Sequence, residues 1–190
     1  MSGEHLKQCG HIGAEAHLQA NSGQKLKQHI RHFYAVECYG PDGQLKWRDG
    51  FENLVTTDGL NKYLDATLKG GLAAPLWYIG LILGPGASNT YLQADTMAIH
   101  AGWTESVVYS NGTRPQWNPG TIAAGSVDNS ASKAIFSISG NAKIAGCFMS
   151  DNSAKSGGTG TLLGEGNFTG GDRDVQGGDT LNITVTATQS

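Results

Sequence analysis

The sequence predicts a mainly β protein: an antiparallel, jelly-roll-like β-sandwich with one inserted α-helix and an extended N-terminal arm. Residues 180–188 (TLNITVTAT) alternate between polar and apolar side chains, which is typical of a strand with one solvated and one buried face. Short segments of this kind recur between turns rich in Gly, which accounts for 28 of the 190 residues. The longest apolar run, residues 76–84 (LWYIGLILG), has the length of one strand covered on both faces.

Composition narrows the possible partners. Charged residues make up 15% of the chain, below the ~25% of a typical soluble domain, so we expect neighbouring subunits to cover part of the surface. A net charge of −3 argues against direct nucleic-acid binding, which needs clustered Lys and Arg. No apolar run reaches transmembrane length and the first thirty residues are polar, so we expect neither a membrane partner nor a secretory signal peptide.

The three cysteines predict free thiols. Cys9, Cys38 and Cys147 are odd in number and widely spaced in a chain without a secretion signal, which fits synthesis in a reducing compartment. Cys147 lies in an apolar segment and is expected in the core.

The N-terminal segment differs from everything after it. It is rich in His, Gln and Lys, is interrupted by Gly, and has too little apolar mass to form a core. We therefore predict that residues 1–31 form an arm, extended or partly helical, which orders only on a partner or on the body. Residues 32–190 are predicted to form the β-sandwich body. Five of the six histidines lie in or next to the arm: His5, His11, His17, His29 and His32.

The body is predicted to begin with a β-hairpin. Residues 33–39 alternate in polarity, Pro41-Asp42-Gly43 is a strong turn signal, and residues 45–47 resume the alternation. Further along, Gly140-Asn141 has the length of a two-residue hairpin connection. Later strands are expected at residues 103–109, 134–139, 142–150, 161–168 and 180–188, with one helical turn at 95–100 and a mobile polar loop at 150–160.

One helix is predicted before the central apolar strand. Thr57 or Asp58 can cap it by accepting a hydrogen bond from a first-turn amide, and Gly70-Gly71 ends it. Its apolar residues fall at helical spacing on one face: Leu60, Tyr63, Leu64 and Leu68.

Two groups of residues have the side chains of metal sites without the spacing of one. His5, Cys9, His11 and His17 are ligand types that Zn²⁺ prefers, but their spacing matches no zinc finger, which favours a His-rich arm. The second group lies in Gly-rich turns and lacks the alternating oxygen ligands and final Glu of an EF-hand loop, which favours turn-forming carboxylates. Its members are Asp151, Asn152, Asp172, Asp174 and Asp179.

Candidates for catalysis are few. No Gly-x-Ser-x-Gly motif is present, and His100 is the one body histidine that could serve Cys147 as a general base. Gly164-Glu165-Gly166 lacks the rest of a dinucleotide-binding motif and connects strands instead of opening a helix. We expect a buried structural thiol, no catalytic residues and no cofactor.

Aromatic residues around a charge pair leave one alternative open. Trp103 is expected in the core, whereas Trp117 suits either the core or a sugar-stacking platform. Glu105 and Arg114, flanked by these aromatic residues and Tyr109, are expected to form a structural ion pair.

Several strings, taken together and in order, resemble one family. That family comprises small structural proteins of tailed bacteriophages, whose members include capsid decoration (cement) proteins. The resemblance covers residues 33–188 and excludes the arm. Its strings are residues 45–49 (LKWRD), 53–61 (NLVTTDGLN), 77–81 (WYIGL), 95–97 (DTM), 102–105 (GWTE), 114–115 (RP), 126–130 (SVDNS) and 178–184 (GDTLNIT).

The resemblance implies a non-enzymatic virion protein made in the host cytoplasm and bound to the outside of the assembled capsid. It implies the major capsid protein as partner, and we expect self-association as a dimer or trimer. Two alternatives stay open. One is a tail or fibre-base component; the other is a carbohydrate-binding module that meets a host-surface glycan through Trp117 and residues 150–160.

Overall fold

Two antiparallel sheets face each other across the core in the computed structural model, which describes residues 30–69 and 73–189. This arrangement, with one α-helix, confirms the predicted fold class. Within the described residues the elements are β1 (Ile30–Tyr39), β2 (Leu45–Glu52), β3 (Leu54–Val55), α1 (Thr57–Leu64) continued by a π-helical turn (Asp65–Lys69), β4 (Trp77–Leu83), β5 (Glu105–Ser106), β6 (Gln116–Trp117), β7 (Ser126–Asp128), β8 (Ala134–Ser137), β9 (Ala142–Ser150), β10 (Leu162–Asn167), β11 (Arg173–Val175) and β12 (Thr180–Gln189).

The chain passes repeatedly from one sheet to the other. Sheet A has the order β2-β1-β12-β7, with β8 also paired to β12. Sheet B has the order β3-β10-β9-β4-β5, with β11 on β9 and β6 on β4. The chain therefore crosses from one sheet to the other after β2, β6, β8 and β11. In the described part of the chain, no helix is long and apolar enough to cross a membrane.

Strict alternation builds the core between the sheets. On β12, Leu181, Ile183 and Val185 are fully buried while the residues between them are partly exposed, as the sequence predicts. Tyr34 and Val36 of β1 add to the same apolar layer. One sheet face is thus committed to the core and the other is left for solvent or partners.

The central strand β4 is covered on both sides, as its continuous apolarity predicts. Ile79 and Leu81 face the sandwich core, whereas Ile82 belongs to a second cluster on the outer face of sheet B. There Trp103 packs on Phe148, with ring centroids 4.8 Å apart. The loop between β4 and β5 thus forms a third layer over sheet B.

Helix α1 is fixed to the body by its first turn. The cap is Thr56, whose hydroxyl accepts a hydrogen bond from the Gly59 amide at 3.0 Å. It lies one residue before Thr57, the first of the two predicted caps. Gly59 lies so close to β10 that a Cβ there would come within 2.6 Å of the Leu163 carbonyl oxygen. This contact fixes the rotation of the helix, and of the predicted stripe only Tyr63 packs against the core. The other three members are 37%, 55% and 77% exposed: Leu60, Leu64 and Leu68.

Three local predictions are wrong. Gly140-Asn141 does not close a hairpin, because β8 pairs with β12 in sheet A while β9 belongs to sheet B. Residues 103–109 contain only the two-residue strand β5 and an isolated bridge at Tyr109, and residues 95–100 form turns and bends instead of a helical turn.

Two predictions lie outside the described residues, namely the helix-ending Gly70-Gly71 and most of the arm. At the boundary between arm and body, β1 begins at Ile30.

The contact between Gly59 and β10 predicts an unusual response to alanine. Gly59→Ala should favour the helix by roughly 0.5–1 kcal/mol, but the overlap with the Leu163 backbone cannot be relieved by a side-chain rotation. We expect a net loss of about 1–3 kcal/mol in the free energy of unfolding, measured by urea denaturation. Gly112→Ala is the control, because no atom lies within 4 Å of its Cβ position. Equal stability of Gly59→Ala and wild type would contradict the close contact.

Candidate interaction surface

A buried ion pair organises one end of the sandwich. Arg114, whose side chain is fully buried, donates from Nε and Nη2 to the two carboxylate oxygens of Glu105, both at 2.8 Å. It also donates to the Asn152 carbonyl at 2.8 Å, and its guanidinium lies 4.9 Å from the centroid of the Phe148 ring. This bidentate geometry confirms the predicted pair and satisfies a charge that would be costly to bury alone.

The same ion pair holds the polar loop at residues 150–160. Glu105 accepts from the Ser156 amide at 2.7 Å, and Lys155 Nζ donates to the carbonyls of Tyr109 and Asn111 at 2.9 and 2.8 Å. The loop predicted to be a mobile tip is therefore hydrogen-bonded to the body along its length.

Both tryptophans near the ion pair are buried. Trp103 is 5% exposed, as predicted for a core residue. Trp117, for which two roles were open, is 8% exposed, and its indole Nε1 donates to the Val185 carbonyl of the opposite sheet at 3.1 Å. Its ring therefore offers no face on which a sugar could stack.

Cys147 and His100 do not form a catalytic pair. Cys147 is fully buried in the core between the sheets, where burial raises the pKa of its thiol. His100 stacks on Trp103, at 3.9 Å between centroids, in the layer that covers the outer face of sheet B. Sheet B therefore separates the two side chains.

The acidic turn residues each have partners of their own. Asp172 accepts from the Gly86 amide, Asp174 from Lys143, Asp179 from Lys46, and Asp151 from the Thr161 amide. Within the part of the chain that the structure describes, no three His, Cys, Asp or Glu side chains gather as a metal site would require. The predicted group His5, Cys9, His11 and His17 lies outside that part.

Gly164 and Gly166 serve strand packing. A Cβ on Gly164 would lie 2.6 Å from the Leu54 carbonyl oxygen, and one on Gly166 would lie 2.9 Å from the Phe51 ring. Glycine is needed here because neighbouring strands approach closely.

Glu165, between these glycines, is a buried acid that the sequence patterns did not reveal. It is fully buried beneath the loop between β4 and β5, and neither oxygen has a hydrogen-bond partner among the described residues. Burial and, secondarily, the nearby Asp95 carboxyl raise the pKa of Glu165 to about 9, so it is protonated at neutral pH. Its place between two glycines inside an apolar strand was the available signal.

His32 is a buried neutral base near the beginning of β1. Its Nε2 lies 3.0 Å from the Tyr63 hydroxyl, and the two rings stack at 6.2 Å between centroids. Burial lowers the pKa of His32 to about 4, with Asn53 opposing the shift. The contact joins the beginning of β1 to α1.

The outer face of sheet A is the candidate interaction surface, because it exposes apolar side chains around an uncharged centre. We define it by the outward side chains of β1, β2, β8 and β12. Phe33 and Ile135 on this face are 47% and 49% exposed, and Phe33 lies over Gly50. Ala35 and Thr184 form its uncharged centre, where they pair across β1 and β12.

Charged residues border that centre on the same face: Glu37 lies opposite Arg48, and Glu52 lies opposite Phe33. Lys133 contacts Glu37 at 2.9 Å, and Arg31 contacts Glu52 at 3.8 Å. An uncharged centre with a polar margin is the usual anatomy of a protein–protein interface.

The size of this face also suits a folded partner. Ten residues along β1 and four strand positions across give about 30 Å by 20 Å, on the order of 600 Å², compared with ~800 Å² per partner in a standard interface.

No protein-family model matches the chain, and no curated protein matches it either.

The buried ion pair predicts a large effect of removing one charge. Glu105→Gln leaves the Arg114 guanidinium buried without its counter-charge, and we expect a loss of about 3–5 kcal/mol in the free energy of unfolding. The matched control is Asp174→Asn, which breaks the solvent-exposed pair with Lys143 and should leave the urea midpoint almost unchanged. Equal effects of the two substitutions would contradict the assigned role of Arg114.

Glu165 predicts a pH dependence of stability. The folded protein holds the Glu165 proton up to about pH 9, whereas the unfolded chain has released it above its ordinary pKa near 4.5, so stability falls as pH rises. Between pH 7.5 and 8.5, where His32 is neutral in both states, the loss should reach about 1 kcal/mol. Glu165→Gln should abolish it in urea titrations, whereas the exposed control Glu52→Gln should retain it. An unchanged slope in Glu165→Gln would refute the assignment.

Proposed function

We propose that this protein is a structural component of a tailed-bacteriophage virion, a head decoration protein that binds the outside of the assembled capsid. The observation that carries the proposal is the outer face of sheet A, which exposes Phe33 and Ile135, is uncharged at its centre and is close to the size of a standard interface. The major capsid protein is the proposed partner because the ordered strings resemble those of phage structural proteins. Phe33 and Ile135 of the outer face of sheet A are the proposed apolar contacts with it.

An ion pair and hydrogen bonds connect the two sheets, which suits a protein under mechanical load. Three contacts join them: Asp49 to Arg173 at 2.6 Å, the Trp47 indole to the Asp174 carbonyl at 3.1 Å, and the Trp117 indole to the Val185 carbonyl at 3.1 Å. A force applied to sheet A is thereby passed to sheet B through hydrogen bonds as well as apolar packing.

Decoration stabilises a shell by differential binding. A protein that binds the assembled lattice more tightly than free subunits shifts the equilibrium toward assembly. If the protein self-associates, each oligomer engages several lattice sites at once, and the contacts gain avidity. No chemical step is required of the decoration protein.

The burial of Trp117 bears on the carbohydrate-binding alternative. That hypothesis requires Trp117 and residues 150–160 to meet the glycan. The indole lies in the core instead, and Arg114 and Lys155 hold the loop at residues 150–160 against the body. The tail or fibre-base alternative differs from ours in copy number. A head decoration protein is present in proportion to the capsomers, whereas a tail part is present in proportion to one tail.

Quantitative mass spectrometry of purified virions tests the location. We expect a molar ratio to the major capsid protein that is a simple fraction set by lattice symmetry. A ratio that instead follows the tail proteins would assign the protein to the tail, and its absence from virions would end the proposal.

A binding experiment tests the surface. Phe33→Asp replaces an exposed apolar side chain on the outer face of sheet A with a charge, and we expect it to weaken co-sedimentation with undecorated capsids by at least about tenfold. Ile99→Asp is the matched control, because Ile99 is 72% exposed in the loop over sheet B. If Ile99→Asp abolishes binding and Phe33→Asp does not, the contact surface is on the opposite side of the sandwich.

A further inference from the structure

A second apolar surface lies on helix α1 and differs in size and shape from the outer face of sheet A. We call it the leucine face of α1; it consists of Leu60, Leu64 and Leu68, which recur every four residues on the side away from the body. Their exposed fractions are 37%, 55% and 77%. The described ranges, 30–69 and 73–189, bury none of the three.

The leucine face is a fixed feature of the fold. The Thr56 cap and the approach of Gly59 to Leu163 set the rotation of the helix, so it cannot turn its leucines inward without losing both contacts. Next to the leucines, on the side toward the core, Tyr63 lies between the His32 ring and Trp77, at 6.2 and 6.4 Å between ring centroids. The apolar side chains are therefore held in solvent, and their burial by an occupant is favourable.

The dimensions favour a peptide segment over a folded domain. Thirteen helical residues, from Thr57 to Lys69, are about 20 Å long and about 10 Å wide, a face on the order of 200 Å². A stable contact between folded subunits takes ~800 Å² from each partner, about four times as much. One helix face can instead seat a short amphipathic stretch of chain.

The chain itself supplies a segment that is joined to the body close to the helix. Residues 1–29 lie before β1, and His32, near the beginning of β1, contacts Tyr63 in the middle of α1. Fully extended, twenty-nine residues reach about 95 Å, several times the length of the helix. The segment carries four large aliphatic residues, which the polar remainder of the segment cannot bury: Leu6, Ile12, Leu18 and Leu26.

We propose that residues 1–29 bind the leucine face of α1 of their own chain, with their aliphatic side chains against Leu60, Leu64 and Leu68. Covalent attachment close to Tyr63 gives the segment a local concentration near α1 on the order of millimolar. Weak apolar contacts are then sufficient for occupancy. This inference concerns a different surface from the proposed capsid contact and does not depend on it.

Hydrogen exchange measured by mass spectrometry on the full-length protein tests the proposal. In the wild type we expect protected amides within residues 1–29. The variant Leu60→Ser/Leu64→Ser/Leu68→Ser should lose that protection, with exchange at least about tenfold faster, since losing the burial of even one leucine changes a binding equilibrium by roughly that factor. The control Ile99→Ser/Val107→Ser/Ile122→Ser removes three comparably exposed aliphatic residues elsewhere and should retain the protection.

A reciprocal variant keeps the test decisive if the helix variant proves unstable. Leu6→Ser/Ile12→Ser/Leu18→Ser leaves the described body intact and should speed exchange at residues 57–69 without changing that of β9. Protection in residues 1–29 should also be independent of protein concentration. The proposal is overturned if the amides of residues 1–29 are unprotected in the wild type, or if the Leu60→Ser/Leu64→Ser/Leu68→Ser variant and its control retain equal protection. Protection that appears only at high protein concentration would also overturn it.

Discussion

The core and the outer face of sheet A both depend on the pairing of β1 with β12. The ladder runs without a break from Ile30 opposite Gln189 to Tyr39 opposite Thr180. Because side chains alternate, a slip of one residue would turn Tyr34 and Val36 outward and Phe33 inward. The register thus determines at once which residues fill the core, which form the outer face of sheet A, and where His32 meets the helix.

The structure has two apolar surfaces of different kinds. The outer face of sheet A is broad, and its centre is formed by strands whose inward side chains fill the core. The leucine face is narrow and lies on a helix fixed mainly at its first turn. The first suits a rigid partner of comparable size, and the second suits a flexible segment whose attachment point is already near. In the proposed functions, one surface binds another protein and the other organises this chain.

The predictable parts of the fold were those decided by local pattern. Alternation located β12, the apolar segment around Cys147 located β9, and proximity in sequence indicated the Glu105–Arg114 pair. Contacts between distant segments decided the rest. Gly140-Asn141 reads as a hairpin turn whether its strands pair or enter different sheets. The direction of the leucine face depended on the approach of Gly59 to Leu163, and helical periodicity gives no information about that contact.

The β1–β12 ladder also constrains how the chain can fold. Its two strands are separated by most of the sequence, which gives a high contact order and slow closure of sheet A. During synthesis at 5–20 residues per second, β1 has only β2 as a partner for on the order of ten seconds before residues 180–189 leave the ribosome. An isolated hairpin is marginally stable, so the nascent chain exposes an unpaired, half-apolar edge during that interval. The cell must keep this edge from pairing with other nascent chains.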